Sequence, residues 1–112
     1  MKAKLCFVEL PTATLAPSKA FYAQAFGMAM TDFGPTYSCT LGDGVDLGLQ
    51  ADPAEASAAP LPVIEVGSLV DAERAVIAAG GTITLAAFSF PGGRRFHFTD
   101  PGGNELAAMQ RE

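Results

Sequence analysis

The sequence predicts an α+β domain made of two similar halves. Three observations point there: short strand-like runs alternate with two helical segments, the element order β-α-β-β-β occurs twice, and a stretch without hydrophobic periodicity separates the two occurrences. The chain has 112 residues and is 49% hydrophobic, enough for one domain core without a membrane span.

In chain order, Leu5 to Pro11 reads as a first strand. Leu15 to Phe26 reads as a helix, because Leu15, Phe21, Tyr22 and Phe26 recur at helical spacing before Gly27, a suitable C-cap. Three strand-like runs follow, Met28 to Phe33, Thr36 to Leu41 and Val45 to Gln50, divided by the turn chemistry of Gly34-Pro35 and Gly42-Asp43-Gly44. This is unit one, residues 1–50, and the Ala/Pro/Ser-rich segment 51–60 is a linker. Unit two, residues 61–112, repeats the order: a strand over Leu61 to Val66, a helix over Leu69 to Ala79 stopped by Gly80-Gly81, then strands near Thr82 to Phe88, Arg95 to Thr99 and Asn104 to Gln110.

The duplication can be followed by position. Gly27 matches Gly80 and Phe7 matches Leu61 at nearly the same shift, whereas Leu47 to Leu106 is longer, which places an extended loop at Ser89-Phe90-Pro91-Gly92-Gly93. With exposed aromatics between flexible flanks, Phe88, Phe90 and Pro91 are candidates for a lid or a subunit contact.

Composition narrows the partners. A formal net charge of −5, with Arg94-Arg95 the only adjacent pair of basic residues, argues against a nucleic-acid partner, since binding to a phosphate backbone needs clustered Lys and Arg. No apolar run approaches the roughly 20 residues of a spanning helix, and Met1-Lys2-Ala3-Lys4-Leu5 leads into a strand pattern rather than a signal peptide, so no membrane partner and a cytoplasmic location are expected. Cys6 and Cys39 form neither a disulfide framework nor a CxxC cluster and are expected to be reduced core thiols.

Strand alternation then sorts the faces. Cys6, Val8 and Leu10 lie opposite Phe7 and Glu9; Tyr37, Cys39 and Leu41 opposite Ser38 and Thr40; Leu47 and Leu49 opposite Asp46, Gly48 and Gln50. Phe96 and Phe98 lie opposite Arg95, His97 and Thr99, and Leu106 and Ala108 opposite Glu105, Ala107 and Met109. The greasier face of each strand is expected to pack on helices, which sends Tyr37 and Cys39 to the core and leaves the mixed faces to a ligand.

The paired units resemble the vicinal oxygen chelate superfamily of glyoxalase I, bleomycin resistance proteins and extradiol dioxygenases. The residues that carry this resemblance are Ala20-Phe21-Tyr22 leading to Ala25-Phe26-Gly27-Met28, Ala79-Gly80-Gly81, and Phe98-Thr99-Asp100-Pro101-Gly102-Gly103-Asn104-Glu105-Leu106. It implies a curved mixed sheet around a cleft with helices on the outer face, and a homodimer in which the cleft forms within one chain or across a swapped pair. Metal-using relatives take ligands from positions that fall here on Phe7, Gly48, Leu61 and Ala107. None of these carries an imidazole, carboxylate or thiolate, so no metal and no cofactor is expected.

The leading expectation is therefore a metal-free protein that binds a small molecule, similar in character to the bleomycin-resistance branch. Phe7, Leu61, Val63, Ala107 and Met109 would supply apolar contacts beside Gly48, with Glu9, Gln50, Arg95 and His97 as polar groups. Glu9 could act as a base or meet a cation, Arg95 could anchor an anion, and His97, the sole histidine, has an intrinsic pKa suited to proton transfer. Asp100-Pro101-Gly102-Gly103-Asn104 reads as a structural turn. An enzyme using Glu9 and His97, a relocated metal site drawn from Glu9, Glu65, His97 and Glu105, and a regulatory or assembly module remain open as alternatives.

Overall fold

The chain is described by a computed structural model covering residues 2–112. In order, it forms β1 (Ala3–Pro11), α1 (Leu15–Phe26), β2 (Thr31–Asp32), β3 (Tyr37–Cys39), β4 (Asp46–Gln50), β5 (Leu61–Val66), α2 (Leu69–Ala78), β6 (Thr82–Phe90), β7 (Gly93–Thr99) and β8 (Glu105–Arg111). The α+β class and the twice-repeated βαβββ order are those the sequence predicts. Two compact units result: Phe7–Leu61, and Pro62–Glu112 together with the segment ending at Cys6. Among the described residues no helix is long and apolar enough to cross a membrane.

In the unit Phe7–Leu61, β4 lies between β1, to which it is parallel, and β3, to which it is antiparallel; β2 pairs antiparallel with β3. Register aligns Glu9 with Gly48, Gly48 with Cys39, and Gln50 with Tyr37. Directly paired residues project to the same side, so Phe7, Glu9, Tyr37, Cys39, Gly48 and Gln50 share one face. The expectation that Tyr37 and Cys39 turn toward the helix is corrected. Ser38 takes that place: it is fully buried, shares its face with Leu49, and donates its hydroxyl to Asp32 Oδ1. Lys19 Nζ on α1 reaches the same oxygen at 2.6 Å, so one carboxylate ties the helix to β2 and β3.

α1 ends where the sequence says it must. Gly27 adopts a left-handed φ of 68°, and its N–H and that of Met28 close back on the carbonyls of Ala23 and Tyr22. The apolar residues that recur at helical spacing are not all turned inward, however. Leu15 and Tyr22 are half-buried, whereas Phe21 and Phe26 are 57% and 68% exposed and pack edge-on against each other with centroids 6.4 Å apart. The strand expected over Met28 to Phe33 shrinks to Thr31–Asp32, which pairs only with Cys39 and Ser38 of the three-residue β3.

In the other unit the order is β5-β8-β7-β6, with β5 and β8 parallel and the remaining pairs antiparallel. α2 covers one face. Leu69 and Ala72 pack with Val66, Phe96 and Ala108, flanked by Ile64, Val76, Ile83 and Phe98. Of these strand residues, Phe96, Phe98 and Ala108 lie on the side that alternation assigned to the core. Ser68 caps α2 by accepting the Asp71 N–H at 3.2 Å.

The extended loop expected at 89–93 is instead a tight Pro91-Gly92 turn between longer strands, so Phe88 and Phe90 are strand residues, not a lid. Gly93 can pair there because it has no side chain: a β-carbon would fall 2.2 Å from the Gln110 carbonyl oxygen. The Asp100–Asn104 segment is a structural turn, held by Asn104 N–H and Nδ2 donating to the Asp100 carboxylate.

Candidate functional site

Each unit presents one sheet face of mixed chemistry. In the unit Phe7–Leu61 that face centres on Gly48. An added β-carbon would stand 2.5 Å from Phe7 Cζ and 2.7 Å from the Tyr37 hydroxyl, so the phenyl ring and the phenol already fill the space a side chain at 48 would need. Beside it, Glu9 is 3% exposed. Gln50 Oε1 accepts the Asp52 N–H at 3.0 Å, and Asp46 Oδ1 accepts from Thr40 and from Gly42 N–H, so both side chains brace local turns. Leu61, at the end of this unit, is 1% exposed.

Cys39 is buried on this face, and desolvation, assisted by the Asp46 charge, pushes its thiol pKa up. Burial also raises the Cys6 thiol, against the opposing charge of Arg111, and its Sγ lies 3.5 Å from the Val63 carbonyl oxygen, to which it donates. Neither thiol has the lowered pKa a nucleophile requires.

The second face belongs to β5, β8 and β7. Cross-strand register places Val63 beside Ala107, Ala107 beside His97, Met109 beside Arg95, and Glu65 beside Met109. Val63, Ala107 and Met109 make a buried apolar floor around the imidazole. Arg95 lies over the rings of Phe88 and Phe90, 5.3 and 5.6 Å from their centroids, an arrangement that favours the cation. His97 is 5% exposed, and its ring centroid is 5.9 Å from that of Phe88.

Burial, reinforced by the Arg95 charge and opposed by Glu105, lowers the His97 pKa from its ordinary 6.5, so the imidazole is neutral at neutral pH. Its Nδ1 faces Glu105 Oε2 at 3.8 Å, and that carboxylate oxygen also accepts the Thr84 hydroxyl at 3.3 Å. Its Nε2 is buried with no hydrogen-bond partner among the described residues. A buried polar atom left in that state costs free energy until something supplies the bond.

Of the residues expected at the site, Val63, Arg95, His97, Ala107 and Met109 converge in one unit, and Phe7, Glu9, Gly48 and Gln50 share a face in the other. Of the groups considered for a relocated metal, Glu65 accepts from Arg111 Nε at 2.9 Å, while Glu105 faces His97 and accepts from Thr84. No three His, Cys, Asp or Glu side chains converge on a point among the described residues. The four positions that the sequence resemblance assigned to metal ligands carry no ligating group: Phe7 and Leu61 are hydrocarbon, Ala107 is fully buried, and Gly48 is closed by Phe7 and Tyr37.

Sequence reasoning put Tyr37 on the core side and Phe88 at a loop, and did not pair Glu105 with His97. The available signal for Tyr37 was the glycine at 48, a strand position kept empty for a neighbour.

No curated protein matches the chain. Among solved structures, a hypothetical protein from Bacillus halodurans shares 10% identity at a TM-score of 0.84, covering 100% of this chain and 96% of the other. Methylmalonyl-CoA epimerase from Mycobacterium tuberculosis shares 15% at 0.74, covering 96% and 87%. A glyoxalase/bleomycin resistance protein/dioxygenase superfamily member from Vibrio splendidus shares 18% at 0.72, covering 99% and 100%. These identities speak for the fold alone. The family model that matches residues 4–108 describes the Glyoxalase/Bleomycin resistance protein/Dioxygenase superfamily. With that match spanning nearly the whole sequence and the paired βαβββ order in place, the chain belongs to the Glyoxalase/Bleomycin resistance protein/Dioxygenase superfamily.

Proposed function

We propose that this member binds a small organic molecule without a metal at the superfamily's ligand positions. The observation that carries the reading is the closure of position 48. A carboxylate there would have to displace the Phe7 ring and the Tyr37 hydroxyl, and the corresponding positions 61 and 107 hold only buried hydrocarbon. In place of ligating groups, the β5-β8-β7 face offers Val63, Ala107 and Met109 with Arg95 and His97 at its polar edge, a few oriented polar atoms on an apolar floor. In the other unit, Phe7, Glu9 and Gln50 line the corresponding face.

The test is metal analysis of the purified protein together with a thermal-shift screen of small organic molecules, since any ligand that prefers the folded state raises the melting temperature. Metal below stoichiometry, with organic hits that persist in a chelator, is expected. Stoichiometric metal retained through dialysis overturns the reading. A homodimer belongs to the same proposal, supported by the exposure of Phe21 and Phe26 on α1.

A further inference from the structure

β6 ends the strand order of its unit, β5-β8-β7-β6, so among the described residues one of its two edges has no strand beside it. Such edges are commonly guarded by charged side chains, by proline or by keeping the strand very short, because unpaired backbone N–H and C=O groups are a template for another strand. β6 uses none of the three. It runs for nine residues, Thr82–Phe90, without an ionisable side chain or a proline, and Thr82, Thr84, Leu85, Ala86 and Ser89 are exposed along it. The guard that remains is its pair of register shifts against β7, which bend the strand without covering it.

Charge decides what fits this edge. The net charge of −5 is spread unevenly: the unit Phe7–Leu61 holds one basic and six acidic residues, whereas the remainder of the chain, which includes β6, holds six of each. Two copies of the β6-bearing unit therefore carry no net charge against each other. Within that balance the charges are polarised along the strand. Toward its start, Thr84 donates to the Glu105 carboxylate. Toward its end, the Arg95 guanidinium lies over Phe88 and Phe90, and Arg94 pairs in register with Ser89. One end of β6 is acidic and the other basic.

We propose that β6 is the pairing edge for a second copy of this chain, joined antiparallel about a two-fold axis at Ala86, the middle of the strand. Each residue then meets the one that mirrors it about 86: Leu85 meets Ala87, Thr84 meets Phe88, Ile83 meets Ser89 and Thr82 meets Phe90. The end carrying Glu105 on one copy lies against the end carrying Arg94 and Arg95 on the other, twice over by symmetry. A parallel pairing would set carboxylate against carboxylate and arginine against arginine, which excludes it. Ala86 and Ala87 keep the axis free of bulky side chains. This surface is separate from the rings of α1, and the pairing needs no ligand, so it stands apart from the small-molecule reading.

A residue on a two-fold axis meets itself, which gives the test a form that misfolding cannot imitate. In sedimentation velocity over a range of concentrations, the wild-type chain is expected to associate reversibly. Ala86→Lys and Ala86→Glu, both at an exposed position, should each remain monomeric at concentrations where the wild type pairs, since like charges then stand directly opposite. Mixing the two variants should restore the dimer, because lysine now faces glutamate. Hydrogen exchange of the β6 amides should slow as wild-type concentration rises and should not slow in either variant alone. A wild-type chain that stays monomeric throughout overturns the proposal, as does association unchanged in both variants or a mixture that pairs no better than its components. Self-association that survives both Ala86 variants and is lost in Phe26→Asp assigns the contact to α1 and equally overturns it.

Discussion

Gly48→Ala isolates the most crowded position in the unit Phe7–Leu61. Its methyl group would sit 2.5 Å from the Phe7 ring and 2.7 Å from the Tyr37 hydroxyl, so the ring and the phenol must shift to admit it. Overpacking of this kind costs about 1–3 kcal/mol, to be read as a lower urea midpoint with an unchanged slope. Combining it with Phe7→Leu should recover part of the loss, because the two sites share one volume. His97 makes a second prediction at this scale. Burial holds its folded pKa below the ordinary 6.5, so as pH falls below that value the unfolded chain takes up a proton that the folded chain resists. The stability contribution is complete above pH 6.5 and is lost as pH drops through the folded value. Thermal melts of wild type and His97→Gln from about pH 7.5 to about pH 5.5 should show the steeper decline in wild type.

The two helices illustrate how differently the same motif can be held. Ser68 accepts the Asp71 N–H at the start of α2, whereas Thr14 makes no side-chain cap at the start of α1. Ser68→Ala should therefore cost about 1 kcal/mol by chemical denaturation, and Thr14→Ala much less. α1 is held by the Lys19, Asp32 and Ser38 contacts. What was legible in the sequence follows the same division. The bounds of α1 were readable because helical spacing stops at Gly27, and those of β5 because its apolar run is bounded by an Ala/Pro/Ser-rich stretch and a turn. The extent of β2 was not, because pairing with the short β3 sets it. Alternation stated correctly which residues share a face but not which face meets the helix. For β7 and β8 the greasier side was the core side, while for β3 the buried, hydrogen-bonded Ser38 took that role and Tyr37 went opposite. Phe88 and Phe90 were misplaced because Pro91-Gly92-Gly93 suggested a longer loop than the two strands leave.

For the molecule as a whole, the sequence revealed the superfamily, and the candidate site only in part. Alternation groups Arg95 with His97 and Ala107 with Met109, and the register of β7 and β8 sets the two pairs side by side, but the contact between His97 and Glu105 depends on side-chain approach that spacing does not encode. The exposed rings of α1 bear on assembly. If they meet a second copy, Phe26→Asp should shift the protein toward monomer in sedimentation velocity over a range of concentrations, and an unchanged distribution would place the interface elsewhere.

The filled position at 48 also constrains descent. A lineage carrying this packing cannot readily build the ion-binding centre considered above by changing residue 48 first, because the new carboxylate meets the Phe7 ring and the Tyr37 hydroxyl. The aromatic at position 7 must shrink or become an imidazole beforehand. Once such packing is adopted, the order of steps works like a ratchet: a route to an ion-binding centre at this face passes through an intermediate that folds less well than either end.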